Sequence, residues 1–325
     1  MRHKLQVVAD WRGGWFSRAD ALCCGYTDSD IRTFVRTGAW TRLCRGAFML
    51  AEPDGDQALW QTQLERYIRM SQAVYHRLGG RAVLSHQSAL AVLGVPVSLL
   101  DLSRVHVTRF SGHGRTTPEV VQHVGVPPVR EVLTIRGAEV MPMARAVVEA
   151  IRFARYPVAV SVVDAALHSS RTTSAELADA LTLFASRTGI RTAERAVHFA
   201  EARTESVGES LLRVVIAEHG LPPPVPQAEI HDSEGQLVGR VDFLFADWRV
   251  VVEFDGEAKY RGTDGAEAVV AEKWREDRLR GLGYQVVRVA WRDLDHPAEI
   301  VARINRAKAL ARASPGVVPA AAGAG

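Results

Sequence analysis

The 325-residue chain has only three cysteines, Cys23, Cys24 and Cys44. Adjacent cysteines rarely bridge, and there is no C-x-x-C pair, so neither a disulfide scaffold nor a cysteine-built zinc site is expected. No apolar run reaches the ~20 residues that a spanning helix needs. The N-terminus lacks the basic start, apolar stretch and small-residue cleavage site of an export signal. The expectation is a cytoplasmic globular protein, with no membrane partner, and 47% hydrophobic with 24% charged residues fits that class. Ser85-His86 invites a hydrolase reading, yet no nucleophile elbow and no placed acid accompany it. Net charge is also scarce, since 40 Lys/Arg against 37 Asp/Glu leave +3.

The location of that charge says more than its size. Residues 1–50 hold eight Lys/Arg against four Asp, a local excess of +4, so the remainder is nearly neutral. Concentrated positive charge is the footprint of a polyanion such as DNA, with a solvated surface as the plain alternative. The same stretch has the rhythm of a winged helix-turn-helix. A short helix over Lys4–Ala9 precedes Gly13-Gly14, Ser17 caps a second helix, and Thr27 or Asp28 caps a third that runs to Thr37. On the third helix Ile31, Phe34 and Val35 face inward, while Arg32 and Arg36, four apart, share an outward face. Residues 40–43 and 47–50, joined around Arg45-Gly46, read as a basic wing that also carries Arg42. In such a unit the last helix enters the major groove and arginines reach bases or phosphates. A helical protein-interaction module is the alternative.

A chain of this length suggests two or three domains. The expected class is α+β multidomain, a variety of α/β chain. A winged helix occupies 1–52, a helix-rich α/β middle 53–203, and a mixed-sheet domain 204–314. The Ala/Gly/Pro-rich tail 315–325 is expected to be disordered. In the middle, helices are expected near 57–77, 85–93, 143–155, 158–168, 174–185 and 192–202, with strands at 105–109 and 120–124. No repeat and no catalytic constellation is visible there, and a spacer or oligomerisation role is the expectation.

The C-terminal third carries the sharpest chemistry. Residues 241–256 read as two apolar strands folded about Asp247-Trp248, with Asp242 opposite Glu253. Asp255, two residues beyond Glu253, shares its face. Like charges placed opposite one another destabilise a sheet, and a hard divalent cation such as Mg²⁺ or Mn²⁺ is the usual reason to gather them. A cross-strand Arg240–Asp255 ion pair is the alternative for the third acid. Upstream, Ser206 and Glu209 form a capping box ahead of an apolar helix.

A helix, a three-strand meander with acids on its second and third strands, a helix and a further strand resemble the PD-(D/E)XK restriction-endonuclease-like core. Val241-Asp-Phe and Val252-Glu-Phe-Asp-Gly256 look most like the small Vsr-like nuclease domain. The resemblance implies that Asp242 and Glu253 bind metal and activate water for phosphodiester hydrolysis, with Glu209 as a further acid. The wider pattern has lysine where Asp255 stands; Lys259, four residues on, is the substitute candidate. Arg275, Arg278 and Arg288 would then hold DNA phosphates. The N-terminal stretch, with Trp15-Phe-Ser-Arg-Ala-Asp-Ala21 and Arg45-Gly-Ala-Phe48, resembles the winged helix of AbiEi-type antitoxins. That second resemblance implies a DNA-binding regulator with a toxin partner and no catalysis, the alternative to a Mg²⁺-dependent endonuclease. An RNA-directed nuclease is a third possibility.

Overall fold

Two reciprocal caps start the chain's fold. The Ser17 and Thr27 side chains accept from the amides of Asp20 and Asp30, whose carboxylates bond back to the cap amides, so two short helices begin where the sequence places them. The computed structural model describes residues 2–51, 58–125, 132–256 and 265–313. Contacts divide the chain into two compact units, 1–198 and 199–325.

The first unit opens with α1 (Arg2–Trp11), β1 (Phe16–Ser17), α2 (Arg18–Cys23), α3 (Asp28–Arg36), β2 (Trp40–Cys44) and β3 (Ala47–Leu50). The strands pair antiparallel in the order β1-β3-β2. Leu5, Phe16, Tyr26, Ile31, Trp40 and Phe48 share one core. Phe34 stacks on Trp40 with ring centroids 5.0 Å apart, which ties α3 to the sheet. Gly38 (φ +76°) ends α3 and Gly46 (φ +78°) turns the wing, both in left-handed conformations that a side chain resists. This is the winged-helix arrangement, with α1 longer at both ends than the expected 4–9.

The unit continues through α4 (Leu59–Leu78), β4 (Val83–Leu84), α5 (His86–Val92), β5 (Val105–Arg109), β6 (Arg115–Thr116) and β7 (Val120–Val124). Then follow β8 (Leu133–Ile135), β9 (Ala138–Val140), α6 (Met143–Ile151), α7 (Tyr156–His168), α8 (Ser174–Thr182) and α9 (Ile190–Phe199). Strands β4 to β9 form a six-stranded sheet ordered β6-β7-β5-β4-β9-β8, with β5/β7 and β4/β9 parallel and the other neighbours antiparallel. The sequence suggests only β5 and β7 here. The others have two or three residues, too few for an alternation to register.

The second unit comprises α10 (Val207–Glu218), β10 (Val225–His231), β11 (Leu237–Phe245), β12 (Val250–Asp255), α11 (Gly265–Gly281), β13 (Gln285–Ala290) and α12 (Pro297–Ala313). Its sheet is mixed, ordered β10-β11-β12-β13, with only β12/β13 parallel. One apolar layer joins Leu212, Ile216, Phe243, Val252, Phe254, Ile300 and Ile304; a second joins Ala228, Ile230, Val241, Val251 and Leu279. A 3-10 turn at Ala246–Trp248, closed by Arg249 at φ +53°, reverses β11 into β12. It sets Phe243 opposite Val252 and Phe245 opposite Val250. Lys259 and the tail 315–325 lie outside the described residues.

Candidate nucleic-acid interface

Helix α3 has two faces because its apolar residues recur at helical spacing. Ile31, Phe34 and Val35 pack inward, and Ser29, Arg32, Thr33 and Arg36 are exposed. Those four stand at i, i+3, i+4 and i+7, one continuous stripe. Ser29 and Thr33 are additions that the arginine spacing alone does not single out. The N-terminal end of the helix is fastened from outside the stripe. Arg18 pairs with Asp28 at 2.6 Å, and that guanidinium holds the Asp28 carboxyl below its ordinary value. Hydrogen bonds from Thr27 likewise hold Asp30 down.

The wing is anchored at its tip. The Arg45 amide donates to Glu119 Oε1 at 2.7 Å, and Arg77 Nη1 donates to Glu119 Oε2 at 2.6 Å and to the Arg45 carbonyl at 3.4 Å. Main-chain atoms do the anchoring, so the Arg45 side chain remains exposed. Arg42, also exposed, lies with its guanidinium 5.9 Å from the Phe48 ring centroid. Burial pushes the Cys44 thiol between them up to about 11, so it is protonated at neutral pH and no nucleophile.

The acids of the second unit stand in a row set by strand register. Pairing of β12 with β13 sets Glu253 opposite Arg288, and the β11/β12 ladder ends at Phe243–Val252, one residue short of Asp242 and Glu253. Asp242 Oδ2 accepts from the Phe254 amide at 2.7 Å. Glu253, only 7% exposed, accepts from Arg275 Nη2 at 2.7 Å, with Arg288 Nη2 at 3.7 Å. Asp255 meets Arg288 at 3.3 Å, and Arg288 also reaches Glu276 at 2.9 Å.

Two local expectations are corrected here. Arg240 pairs with Glu205 at 2.8 Å, not with Asp255, because the paired ladder ends at Phe243–Val252 and Arg288 reaches Asp255 from the neighbouring strand. Glu209 makes no bond to the Ser206 amide. Buried toward β10, its Oε2 accepts from the Glu205 amide at 3.0 Å and from Gln227 Nε2 at 2.9 Å, while Ser206 Oγ caps the Glu209 amide. Of the arginines assigned to phosphates, Arg275 and Arg288 hold these acids, and Arg278 pairs with Asp232 at 3.2 Å.

Comparison with known families agrees with the N-terminal geometry. A family model described as a transcriptional regulator, AbiEi antitoxin, matches residues 4–51, from within α1 through β3. Over a longer span the chain is similar to uncharacterized proteins of two Mycobacterium tuberculosis strains, CDC 1551 / Oshkosh and ATCC 25618 / H37Rv. Each is 29% identical over 281 residues, covering 86% of this chain and 96% of the relative. No helix among the described residues is long and apolar enough to cross a membrane.

Proposed function

We propose that the chain is a DNA-binding regulator of the AbiEi antitoxin kind. Helix α3 enters the major groove with Ser29, Arg32, Thr33 and Arg36, and the wing sets Arg42 and Arg45 against flanking phosphates. The observation that carries this is the exposed polar stripe on a doubly capped helix, within the segment that the antitoxin family model matches. A toxin protein is the partner that this reading implies.

The test is a salt titration of duplex DNA binding by fluorescence anisotropy. Four phosphate-contacting arginines give a slope of log K against log[salt] of about −3.6, and removing two reduces it by about 2. Arg32→Ala/Arg36→Ala is expected to bind weakly with the shallower slope, with folding checked by circular dichroism. Equal affinity and equal slope for wild type and variant would refute the interface.

A second reading, Mg²⁺- or Mn²⁺-dependent phosphodiester hydrolysis, is supported by the position of Asp242 and Glu253 next to the terminal Phe243–Val252 pair of neighbouring strands. Against it, Glu253 already faces two guanidinium groups, so a cation there competes with Arg275 and Arg288. Incubation of supercoiled DNA with either metal, beside Asp242→Asn and Glu253→Gln, decides the matter. Cleavage that both variants abolish supports hydrolysis; absence of cleavage by wild type leaves the second unit a binding or scaffold domain.

A further inference from the structure

Three histidines in the first unit, spread over 38 positions from 86 to 123, meet on its six-stranded sheet. His86 opens α5, His106 lies on β5 and His123 on β7. Parallel pairing sets His123 opposite Thr108, so it is a diagonal neighbour of His106 on the same face. His86 has φ +52°, a left-handed conformation that a non-glycine residue keeps only where its surroundings enforce it. Its buried ring lies over His123, with centroids 3.9 Å apart. One ring nitrogen from each histidine falls within 4.8 Å of those of the other two.

The surroundings are those of a built site. Glu149 on α6 is 3% exposed, and its Oε1 accepts from the equally buried Arg145 at 2.9 Å. Its Oε2 is buried without a hydrogen-bond partner, 3.6 Å from His86 Nδ1. His86 Nδ1 also lies 3.0 Å from Ser85 Oγ, so with Nδ1 turned toward Ser85 and Glu149 the nitrogen left for ligation is Nε2. On the far side, Gln87 Nε2 donates to the Asp101 carbonyl at 3.0 Å and lies 3.1 Å from His106 Nε2. That contact occupies the outer nitrogen of His106 and turns Nδ1 inward, 3.0 Å from His123 Nε2. Two nitrogens at about 2.05 Å from a tetrahedral Zn²⁺ are ~3.3 Å apart, close to that separation.

We propose that His86 Nε2, His106 Nδ1 and His123 Nε2 bind one Zn²⁺ or similar borderline divalent ion, with Glu149 and Gln87 as positioning residues. Three imidazoles suit such a metal and not Mg²⁺ or Ca²⁺, which prefer oxygen. The neighbouring guanidinium groups have partners of their own, Arg145 in Glu149 and Arg152 in the Thr188 carbonyl at 2.9 Å. Ligation requires the stacked His86 and His123 rings to turn about χ2, a broad torsion. The set leaves a fourth position for water or a ligand, and the half-buried His106 and His123 form its solvent side.

The experiment uses full-length, tag-free protein stripped with chelator and desalted. Zn²⁺ is added in a calorimeter, and Co²⁺ is followed by visible absorption. The expected result is one Zn²⁺ per chain and intense cobalt bands of low-coordinate geometry that Zn²⁺ abolishes. His106→Gln/His123→Gln is expected to lose both signals, and Glu149→Gln to bind about 10- to 100-fold more weakly. His113→Ala, a change at an exposed histidine outside the cluster, is expected to match wild type. The proposal is overturned if wild type gives only the weak spectrum of hydrated cobalt, or if the double variant, with a native dichroism spectrum, binds Zn²⁺ as tightly. Should that variant fail to fold, the wild-type cobalt spectrum decides alone.

Discussion

Glu149 and Glu253 are both buried carboxylates near a sheet, each with an arginine at hydrogen-bond distance, 2.9 Å and 2.7 Å respectively. Their second neighbours differ. Beyond Glu253 lies another guanidinium, that of Arg288, and with it Asp255 and Glu276, so charge there is answered by charge. Beyond Glu149 lies the imidazole trio, held neutral by burial. The difference separates two uses of a buried acid. In one the carboxylate is an end in itself, an anchor for arginines that staple α11 and β13 to β12. In the other it is unfinished, with one oxygen facing a ring.

The strongest way to break the comparison is to remove each arginine. Arg145 and Glu149 have side chains only 6% and 4% exposed, so Arg145→Ala leaves an uncompensated interior charge and is expected to cost about 3–5 kcal/mol. Arg275 and Glu253 are 23% and 9% exposed and Arg288 stays nearby, so Arg275→Ala is expected to cost about 2 kcal/mol. Hydrogen exchange resolved by peptide reads α6 for the first and β12 for the second. Equal losses would show that burial is not what distinguishes the two pairs.

A packing change sharpens the second half of the comparison. Gly208 on α10 lies against the Phe254 ring so closely that an added methyl would overlap Cε1, Cδ1 and Cζ. Gly208→Ala is therefore expected to displace the ring between Glu253 and Asp255 and to cost about 1–3 kcal/mol, measured by urea denaturation. A cost under ~0.5 kcal/mol would mean that the strand carrying these acids is not fixed by that contact.

Acid provides the smallest test, and the units should respond alike. Asp20 is lowered although burial alone would raise it, because bonds from Ser17 and Arg12 outweigh desolvation. Asp293 is lowered chiefly by the Ala290 amide, which it accepts at 2.9 Å, with Arg303 also at 2.9 Å. For both, the folded value lies below the unfolded one. Their stabilisation is complete above the unfolded value of about 3.9 and disappears as pH falls through the folded value. Stability followed by dichroism should show no pH dependence from either between about pH 6 and 8, and Asp20→Asn should flatten the loss below about pH 4.

The legible parts of this chain are those decided by near neighbours. Ser17 is a cap signal that does mark the start of α2, and of the alternatives Thr27 and Asp28 it is Thr27 that caps α3. The apolar residues of β11 and β12 and the turn between them give the strand register correctly. What lies across several elements was hidden. Nothing in the spacing of Glu253, Arg275 and Arg288 says that they converge, since the parallel placement of β13 brings Arg288 across from Glu253. The imidazole trio was wholly missed. Its members open a helix and sit on two strands whose partnership skips β6, so no motif of fixed spacing records them. A histidine with a left-handed backbone is the one trace, and it shows only in coordinates.

The Glu119 clasp has a consequence for how the wing works. With its tip pinned through main-chain atoms, the hairpin would, on the DNA-binding reading proposed above, meet a duplex already ordered and forfeit little freedom on docking. The pin belongs to the residue just ahead of β7, whose fourth residue is His123.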